Sequence, residues 1–264
     1  MDYGAIVSDT IAFTRQALAG KWTTWLIFIL CSLPFALINF VVDPKDIVFG
    51  GTIHWELVPW TQVIALFIAG LVLSFVLFGY LVRVYRGVTP PPAFDPWGSL
   101  FVDGIKLAIV GILWFVPAFL IIAGGILCFI LGFHTTGDSL DPMLSAGFLL
   151  LLIGGIVFLI SCIYSVVGCV RFARTASMRE GFRFSAITET IQVIGWGAYL
   201  IALVIFFVLI LLFSLVVALL ALIPLVGWVI RLILYPVVQV FSARYVSRVY
   251  DHGVPPVPAP APVQ

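Results

Sequence analysis

Six long apolar stretches, separated by short polar segments, dominate the pattern of hydrophobic and polar positions along the chain. Each is long enough to cross the hydrocarbon core of a bilayer, which takes about 20 residues of helix. None shows the alternation of a barrel strand, so the pattern predicts helices. The predicted spans are Trp22–Val42, Pro59–Val82, Ile105–Phe133, Met143–Val170, Ile191–Ile223 and Leu225–Ala243. The sequence therefore predicts an all-α, polytopic transmembrane helical bundle.

The region from 191 to 243 allows two interpretations. Its apolar run is broken only by Pro224, Gly227 and Arg231. A proline close to a glycine is typical of a tight turn, which favours a hairpin of two full spans. One long tilted helix followed by a re-entrant segment is the alternative that the sequence leaves open.

Composition supports a membrane protein and sets the domain organisation. Of the 264 residues, 63% are hydrophobic and 9% are charged, whereas a soluble domain carries about 25% charged residues. We predict a cytoplasmic amphipathic segment at 1–21, a six-span membrane domain at 22–249 and a disordered, proline-rich cytoplasmic tail at 250–264. The first nine residues contain no cation, so no cleavable signal peptide is predicted. The net charge of +1 gives no reason to expect nucleic acid binding.

The positions of lysine and arginine predict the orientation. If both termini are cytoplasmic, 11 of the 13 basic residues face the cytoplasm, and only Lys45 and Arg231 lie outside. This bias is what the positive-inside rule requires. We therefore predict a multi-pass protein of the cell membrane with cytoplasmic N and C termini.

The chain also suggests a unit used three times, in which an amphipathic lead-in helix precedes a hairpin of two spans. Arg83-Val84-Tyr85 at the end of one unit recurs as Arg248-Val249-Tyr250 at the end of another. We expect the lead-ins to lie in the cytoplasmic headgroup plane. Their predicted apolar faces are formed by Ile6, Phe13 and Ala17, by Trp97, Leu100, Phe101 and Ile105, and by Phe184, Ile187, Ile191 and Ile194.

Small residues recur every seven positions in the third and fourth spans. Seven residues are almost two helical turns, so each set forms a stripe that lets neighbouring backbones approach. The two helices are therefore predicted to pack along these stripes. They comprise Gly104, Gly111, Ala118, Gly125 and Gly132 in one span, and Gly147, Gly154, Ser161 and Gly168 in the other.

The spans contain no catalytic constellation, and we predict no catalytic residue, cofactor or metal site. Arg231 is the only ionisable residue well inside a span, whereas proton relays and intramembrane enzymes need buried acids, bases or metal ligands. The four cysteines form no CxxC pair. Two histidines, His54 and His134, lie near acidic residues on the outer side, but their spacing matches no metal-binding motif.

Two segments at the predicted cytoplasmic side carry a family resemblance. The run from Phe78 to Gly87, continued from Pro92 to Lys106, resembles a membrane family known as domain of unknown function 4013, seen largely in archaea. The run from Arg171 to Arg174, continued from Gly181 to Ile187, is similar to the second cytoplasmic segment of that family. The resemblance covers most of the chain before the proline-rich tail. It implies an archaeal multi-pass membrane protein, and it implies no catalytic residues, because the family has no established activity.

Three functions are compatible with these observations. The preferred one is a non-enzymatic organising, adaptor or accessory component whose basic face contacts anionic lipid headgroups or a membrane protein partner. A transporter or channel for a neutral or lipid-like solute is the alternative, with Asn39, Gln62 or Gln239 lining its path. A lipid-modifying enzyme would need Asp95, Asp103 and Glu189 to converge. The predicted headgroup or partner contacts are Arg83, Arg86, Trp97, Lys106, Arg171, Arg174, Arg179 and Arg183.

Overall fold

The computed structural model describes residues 1–42, 44–49, 52–135, 142–221, 223 and 226–253. Within these ranges the chain is almost entirely helical. The helices are α1 (Tyr3–Leu18), α2 (Trp22–Val41), α3 (Pro44–Ile47), α4 (Trp60–Tyr85), α5 (Trp97–Thr135), α6 (Pro142–Thr175), α7 (Phe184–Ile194), α8 (Trp196–Ala221) and α9 (Val226–Asp251). Between α3 and α4, two short strands, β1 (Val48–Phe49) and β2 (Thr52–Ile53), form an antiparallel ladder.

Six of the described helices, α2, α4, α5, α6, α8 and α9, are long and apolar enough to cross a membrane. This confirms the predicted all-α, six-span helical architecture. In the last pair, α8 and α9 are separate helices, and the Tyr245 hydroxyl donates a 2.9 Å hydrogen bond to the Ala202 carbonyl. The contact joins the start of α8 to the end of α9, so the two pack antiparallel, as in the hairpin interpretation. The predicted turn residue Pro224 lies outside the described residues.

Two predicted boundaries are wrong. The fifth span begins at Trp196 rather than Ile191, because Gly195 adopts φ +90° and ends α7. A left-handed backbone is accessible to glycine at little cost, so the chain changes direction there. The second lead-in is continuous with the third span, and together they form α5, 39 residues long. At 1.5 Å per residue, α5 is about 58 Å long, roughly twice the hydrocarbon thickness.

Most of the basic residues collect at one end of the bundle, which we call the basic end. It is formed by α1, α7, the first turns of α2, α5 and α8, and the last turns of α4, α6 and α9. Ion pairs join five of these helices, α1, α4, α5, α6 and α9: Arg86 to Asp103, Arg174 to Asp251, and Arg244 to Asp9. The largest fully buried side chains lie in its vicinity: Tyr80, Leu100, Phe172, Ile187, Tyr199 and Tyr245.

The half of the bundle away from the basic end has many exposed apolar side chains outside the close contact of α5 with α6, and we call it the loosely packed half. Along α8, large apolar side chains stay exposed from Leu200 to Leu219. Along α4, Ile64, Phe67 and Ile68 are likewise exposed. In a bilayer these side chains face lipid, whose acyl chains are as apolar as a protein interior.

Two lead-in helices bury most of their predicted apolar faces against the protein. In α1, Ile6, Phe13 and Ala17 are all buried, and the helix packs on α9. In α7, Ile187 and Ile191 are fully buried, whereas Phe184, which was predicted on the same face, is 58% exposed. The periodicity therefore identified the correct faces, and the surface that they contact is protein.

Candidate functional site

The basic end is the candidate functional site, and Arg83 shapes it by binding the segment that leads into α5. Its guanidinium donates to the carbonyl oxygens of Ala93 (2.6 Å) and Pro96 (3.3 Å). It also donates to the Ser99 hydroxyl at 3.0 Å. The long side chains of arginine and lysine near a helix end reach such carbonyls easily, and here groups of the chain itself accept the hydrogen bonds of the guanidinium.

Two further arginines join helices that are distant in sequence. Arg86 forms an ion pair with Asp103 of α5 (Nη2···Oδ2 2.8 Å) and donates to the Ala173 carbonyl of α6 at 3.1 Å. Arg174 of α6 donates to Asp251 of α9 at 2.5 Å. These contacts connect α4, α5, α6 and α9 at one level of the bundle.

Arg171 and Arg183 share one carboxylate. Arg171 donates to Glu180 Oε2 from Nε (3.1 Å) and from Nη2 (2.6 Å), and Arg183 donates to Glu180 Oε1 at 3.2 Å. The bond from Arg171, followed by that from Arg183, lowers the pKa of Glu180. Arg171 is largely covered, whereas the Arg183 side chain is 60% exposed and keeps donors directed to solvent.

Asp9 on α1 is the centre of a cluster that the sequence prediction missed. Its carboxylate accepts from Arg248 (Nε 2.7 Å) and from Arg244 (Nε 3.0 Å), and the Arg244 side chain is only 4% exposed. The Arg244 guanidinium also lies 4.4 Å from the centre of the Phe13 ring. Hydrogen bonds from Arg248 foremost, and from Arg244, lower the pKa of Asp9 to about 2. The sequence contained one indication of this cluster: Asp9 lies three residues after Ile6 and four before Phe13, which places it on the buried face of α1.

Other cations of the basic end keep their charge unpaired within the described part of the chain. The side chains of Arg15, Lys21, Lys106 and Arg179 make no hydrogen bond or ion pair there. Exposed aromatic residues stand at the same end: Trp22 (77% exposed), Trp97, Phe184 and Trp196. Exposed indoles beside cations are typical of the headgroup level of a membrane. Of the predicted contacts, Trp97, Lys106, Arg179 and Arg183 are thus accessible, and Arg83, Arg86, Arg171 and Arg174 are bound within the fold.

A groove of about 1000 Å³ opens at the basic end between α1 and α8. Tyr3, Val7 and Ile11 form its apolar wall together with Ile205 of α8. Arg15 lies in the same lining, so a cation stands beside exposed apolar surface. Such a pairing matches an amphiphile with an anionic headgroup.

The predicted glycine stripes divide between three interfaces. A Cβ built on Gly125, Gly132, Gly147 or Gly154 would lie within 3.0 Å of atoms of the facing helix, which places these glycines in the seam between α5 and α6. Gly104 instead meets the Phe75 carbonyl of α4, and Gly168 meets Gly181 and Trp114. Gly111 has open space around it, so its predicted place in the seam is wrong.

A second cavity, of about 420 Å³, lies on the flank of the loosely packed half, between α2, α4 and α9. We call it the lateral cleft. Asn39 and Arg231 are among its lining residues, as are Ser32, Ser74 and Tyr235. Gln62 and Gln239, the other predicted polar residues, are not part of that lining.

The described residues contain no group of three or more metal-ligating side chains. His54 contacts Glu56 (Nδ1···Oε1 2.9 Å) and the Thr52 hydroxyl (Nε2···Oγ1 3.1 Å). Asp138 and Asp141, which the sequence places near His134, lie outside the described residues. Of the three carboxylates that an enzyme would need, Asp103 is paired with Arg86, and Asp95 and Glu189 are exposed.

Comparison with known proteins yields one match. The profile of a family described as "Protein of unknown function (DUF4013)" matches residues 63–222, which confirms the resemblance seen in the sequence. No curated protein and no solved structure matches the chain. The matched range runs from α4 to the end of α8 and includes Arg83, Arg171 and the segments around them.

Proposed function

This chain belongs to the DUF4013 family, and because that family has no assigned activity, we propose a function from the geometry of the basic end. The protein acts as a non-enzymatic membrane component, with an organising, adaptor or accessory role, whose basic face binds anionic lipid headgroups. That face points to the cytoplasm of the cell, in keeping with the positive-inside rule.

The observation that carries the proposal is the set of cations left without partners. Seven arginines of the basic end are engaged inside the chain, and Arg15, Lys21, Lys106 and Arg179 are available in the described structure. Each cation near an anionic membrane surface contributes about 1 kcal/mol of attraction. The four together therefore favour anionic headgroups over zwitterionic ones.

Packing supports an organising role rather than a catalytic one. The residues beneath the basic face are fully buried, and ion pairs connect α1, α4, α5, α6 and α9. A platform of connected helices with accessible charges at its surface suits binding, because the helix ends that carry these charges are already held together before a lipid binds.

The test is the stabilisation of the purified chain by anionic lipid. Adding an anionic phospholipid to the detergent-solubilised protein should raise its unfolding temperature more than a zwitterionic phospholipid of the same chain length does. Replacing Arg15, Lys21, Lys106 and Arg179 together by Gln should make this difference clearly smaller. Lys45→Gln removes one cation from the other end and should leave the difference intact. An unchanged lipid preference in the fourfold variant would refute the proposal.

The lateral cleft favours transport of a neutral or lipid-like solute as a second candidate. Asn39 is in its lining, as a polar path requires. Beyond the cleft, however, the way toward the basic end is filled by Phe28, Tyr80 and Phe94, which are buried and in mutual ring contact. A path through the bundle would require these rings to separate. Flux of a solute into proteoliposomes that is abolished by Asn39→Leu would support transport over the preferred function.

A further inference from the structure

We propose that the lateral cleft is a binding site for a membrane lipid with an anionic headgroup, which Arg231 recognises. The proposal goes beyond the basic face. Arg231 lies 13 residues before Arg244 on α9, which corresponds to about 20 Å along the helix. The two regions are therefore independent sites.

The first argument concerns the charge of Arg231. It is the sixth residue of α9 and lies within an otherwise apolar stretch. Its guanidinium has no hydrogen bond or ion pair within the described part of the chain, and no described carboxylate lines the cleft. A cation in or near the hydrocarbon region is costly, by up to about 3 kcal/mol at the centre, unless an anion or water compensates it. A lipid phosphate is the anion that a bilayer supplies at this level.

The second argument is the distribution of polarity along the cleft. Asn39 lies two residues before the end of α2 and Arg231 five residues after the start of α9, so both are near the end away from the basic end. Closer to the basic end the lining is mainly apolar, with Leu77 and Phe78, and it also includes Ser32, Ser74 and Tyr235. A cleft with a charge near the bundle end and mainly apolar residues further in matches an anionic headgroup followed by an acyl chain.

Two other polar groups of the lining, the hydroxyls of Ser32 and Ser74, do not require a ligand. The Ser32 hydroxyl donates to the Ile29 carbonyl at 3.0 Å, and the Ser74 hydroxyl donates to the Leu71 carbonyl at 2.7 Å. Because both hydroxyls already have hydrogen-bond partners within their own helices, an acyl chain can lie against them without leaving a polar group unpaired. Arg231 carries the charge among the described residues of the lining, and this charge selects an anion over a neutral solute.

The volume of the cleft accommodates part of such a lipid, for example its headgroup and the start of an acyl chain, with the rest in the bilayer. At about 420 Å³ the cleft falls in the usual range of ligand sites, roughly 300–1,000 Å³. Two residues of its lining, Phe35 and Leu71, are exposed on the flank of the bundle. A lipid can therefore enter sideways from the bilayer without leaving the apolar phase.

The experiment counts bound lipids by native mass spectrometry. The full chain is purified with the four free cations of the basic end replaced by Gln, so that lipids held there are not counted. An equimolar mixture of an anionic and a zwitterionic phospholipid of the same chain length is then added. We expect retention of the anionic lipid, and Arg231→Gln should weaken it about tenfold, because a charge-assisted hydrogen bond is lost.

Variants that fill the cleft separate a defined site from simple contact between Arg231 and headgroups. Leu71→Trp and Ser74→Leu leave Arg231 in place and should weaken retention to a similar extent. Ile68→Trp is the matched control on the same helix, because Ile68 is exposed and lies outside the lining, and its effect should stay below about twofold. Circular dichroism and a monodisperse elution profile verify that each variant is folded.

Three results would overturn the proposal. The first is undiminished lipid retention in Arg231→Gln. The second is full retention in both Leu71→Trp and Ser74→Leu, which would mean that Arg231 merely reaches the membrane surface. The third is equal stabilisation of the protein by inorganic phosphate alone, which would identify a soluble anion as the ligand. The lipid preference of the basic face is unaffected by any of them.

Discussion

The basic end and the loosely packed half of the same bundle differ in what holds their helices together. At the basic end, buried aromatic and aliphatic side chains combine with ion pairs such as Arg86–Asp103. In the other half, apart from the glycine seam of α5 and α6, side chains such as Leu211 and Leu215 of α8 face outward. The comparison teaches that a bilayer removes the need for an apolar core at membrane depth, whereas helix ends near water still need specific contacts.

The largest expected effect separates two glycines of one predicted stripe. Gly104→Val should destabilise the protein by about 3 kcal/mol or more, because its side chain would collide with the Phe75 carbonyl of α4. Gly111→Ala, in open space on the same helix, should be neutral or stabilising by up to about 1 kcal/mol. Thermal unfolding in detergent measures both. Equal destabilisation by the two changes would contradict the division of the stripe.

A smaller loss is expected when the acidic partner at the basic end is removed. Asp9→Asn leaves Arg244, which is 4% exposed, without its carboxylate. Removing one partner of a buried ion pair costs about 3–5 kcal/mol, and we expect about 2 kcal/mol because Asp9 itself is partly exposed. Glu189→Gln, at an exposed carboxylate of α7, is the control and should change stability by less than about 0.5 kcal/mol. The unfolding temperature of each variant tests this.

The same ion pairs predict a dependence on pH. The folded state lowers the pKa of Asp9 from 3.8 to about 2, so the unfolded state binds this proton more readily. The stabilisation is therefore fully present above about pH 4 and is lost as the pH falls toward 2. The wild-type unfolding temperature should drop over this window more steeply than that of Asp9→Asn. Parallel pH profiles for the two proteins would show that Asp9 does not carry the effect.

The smallest expected effect belongs to the loosely packed half. Leu215→Ala should change stability by less than about 0.5 kcal/mol, because the side chain is 55% exposed and contacts lipid whether the helices are packed or apart. Leu100→Ala is the matched change at the basic end and should cost about 2–3 kcal/mol, because Leu100 is fully buried. The ratio of the two losses, measured in one detergent, quantifies the contrast. A loss of stability in Leu215→Ala as large as that in Leu100→Ala would contradict the contrast between the two halves.

Particular residues show how far sequence reasoning reached into the site. The face of α1 formed by Ile6, Phe13 and Ala17 was predicted correctly, because burial on a helix follows its period of 3.6 residues. The partners of the arginines were not predicted, because Asp9 and Arg248 are 239 positions apart. Only the packing of α1 on α9 brings them together. The predicted headgroup contact of Arg174 rested on its position near the membrane surface, and its donation to Asp251 was invisible to that argument.

The amino-acid sequence by itself determined that the spans are suited to a hydrocarbon environment, that they are helices, and how many there are. The number of spans follows from the composition of continuous segments, and their helical structure follows from the need to satisfy backbone hydrogen bonds in hydrocarbon. Tertiary structure decided which cations form ion pairs and which stay accessible, since ion pairing depends on the distances between helix ends that are remote in the sequence. It also decided that Arg231 borders a cleft. A lone arginine in an apolar run has the same sequence signature whether it faces a helix, a lipid or a cavity, and only the arrangement of α2, α4 and α9 distinguishes them.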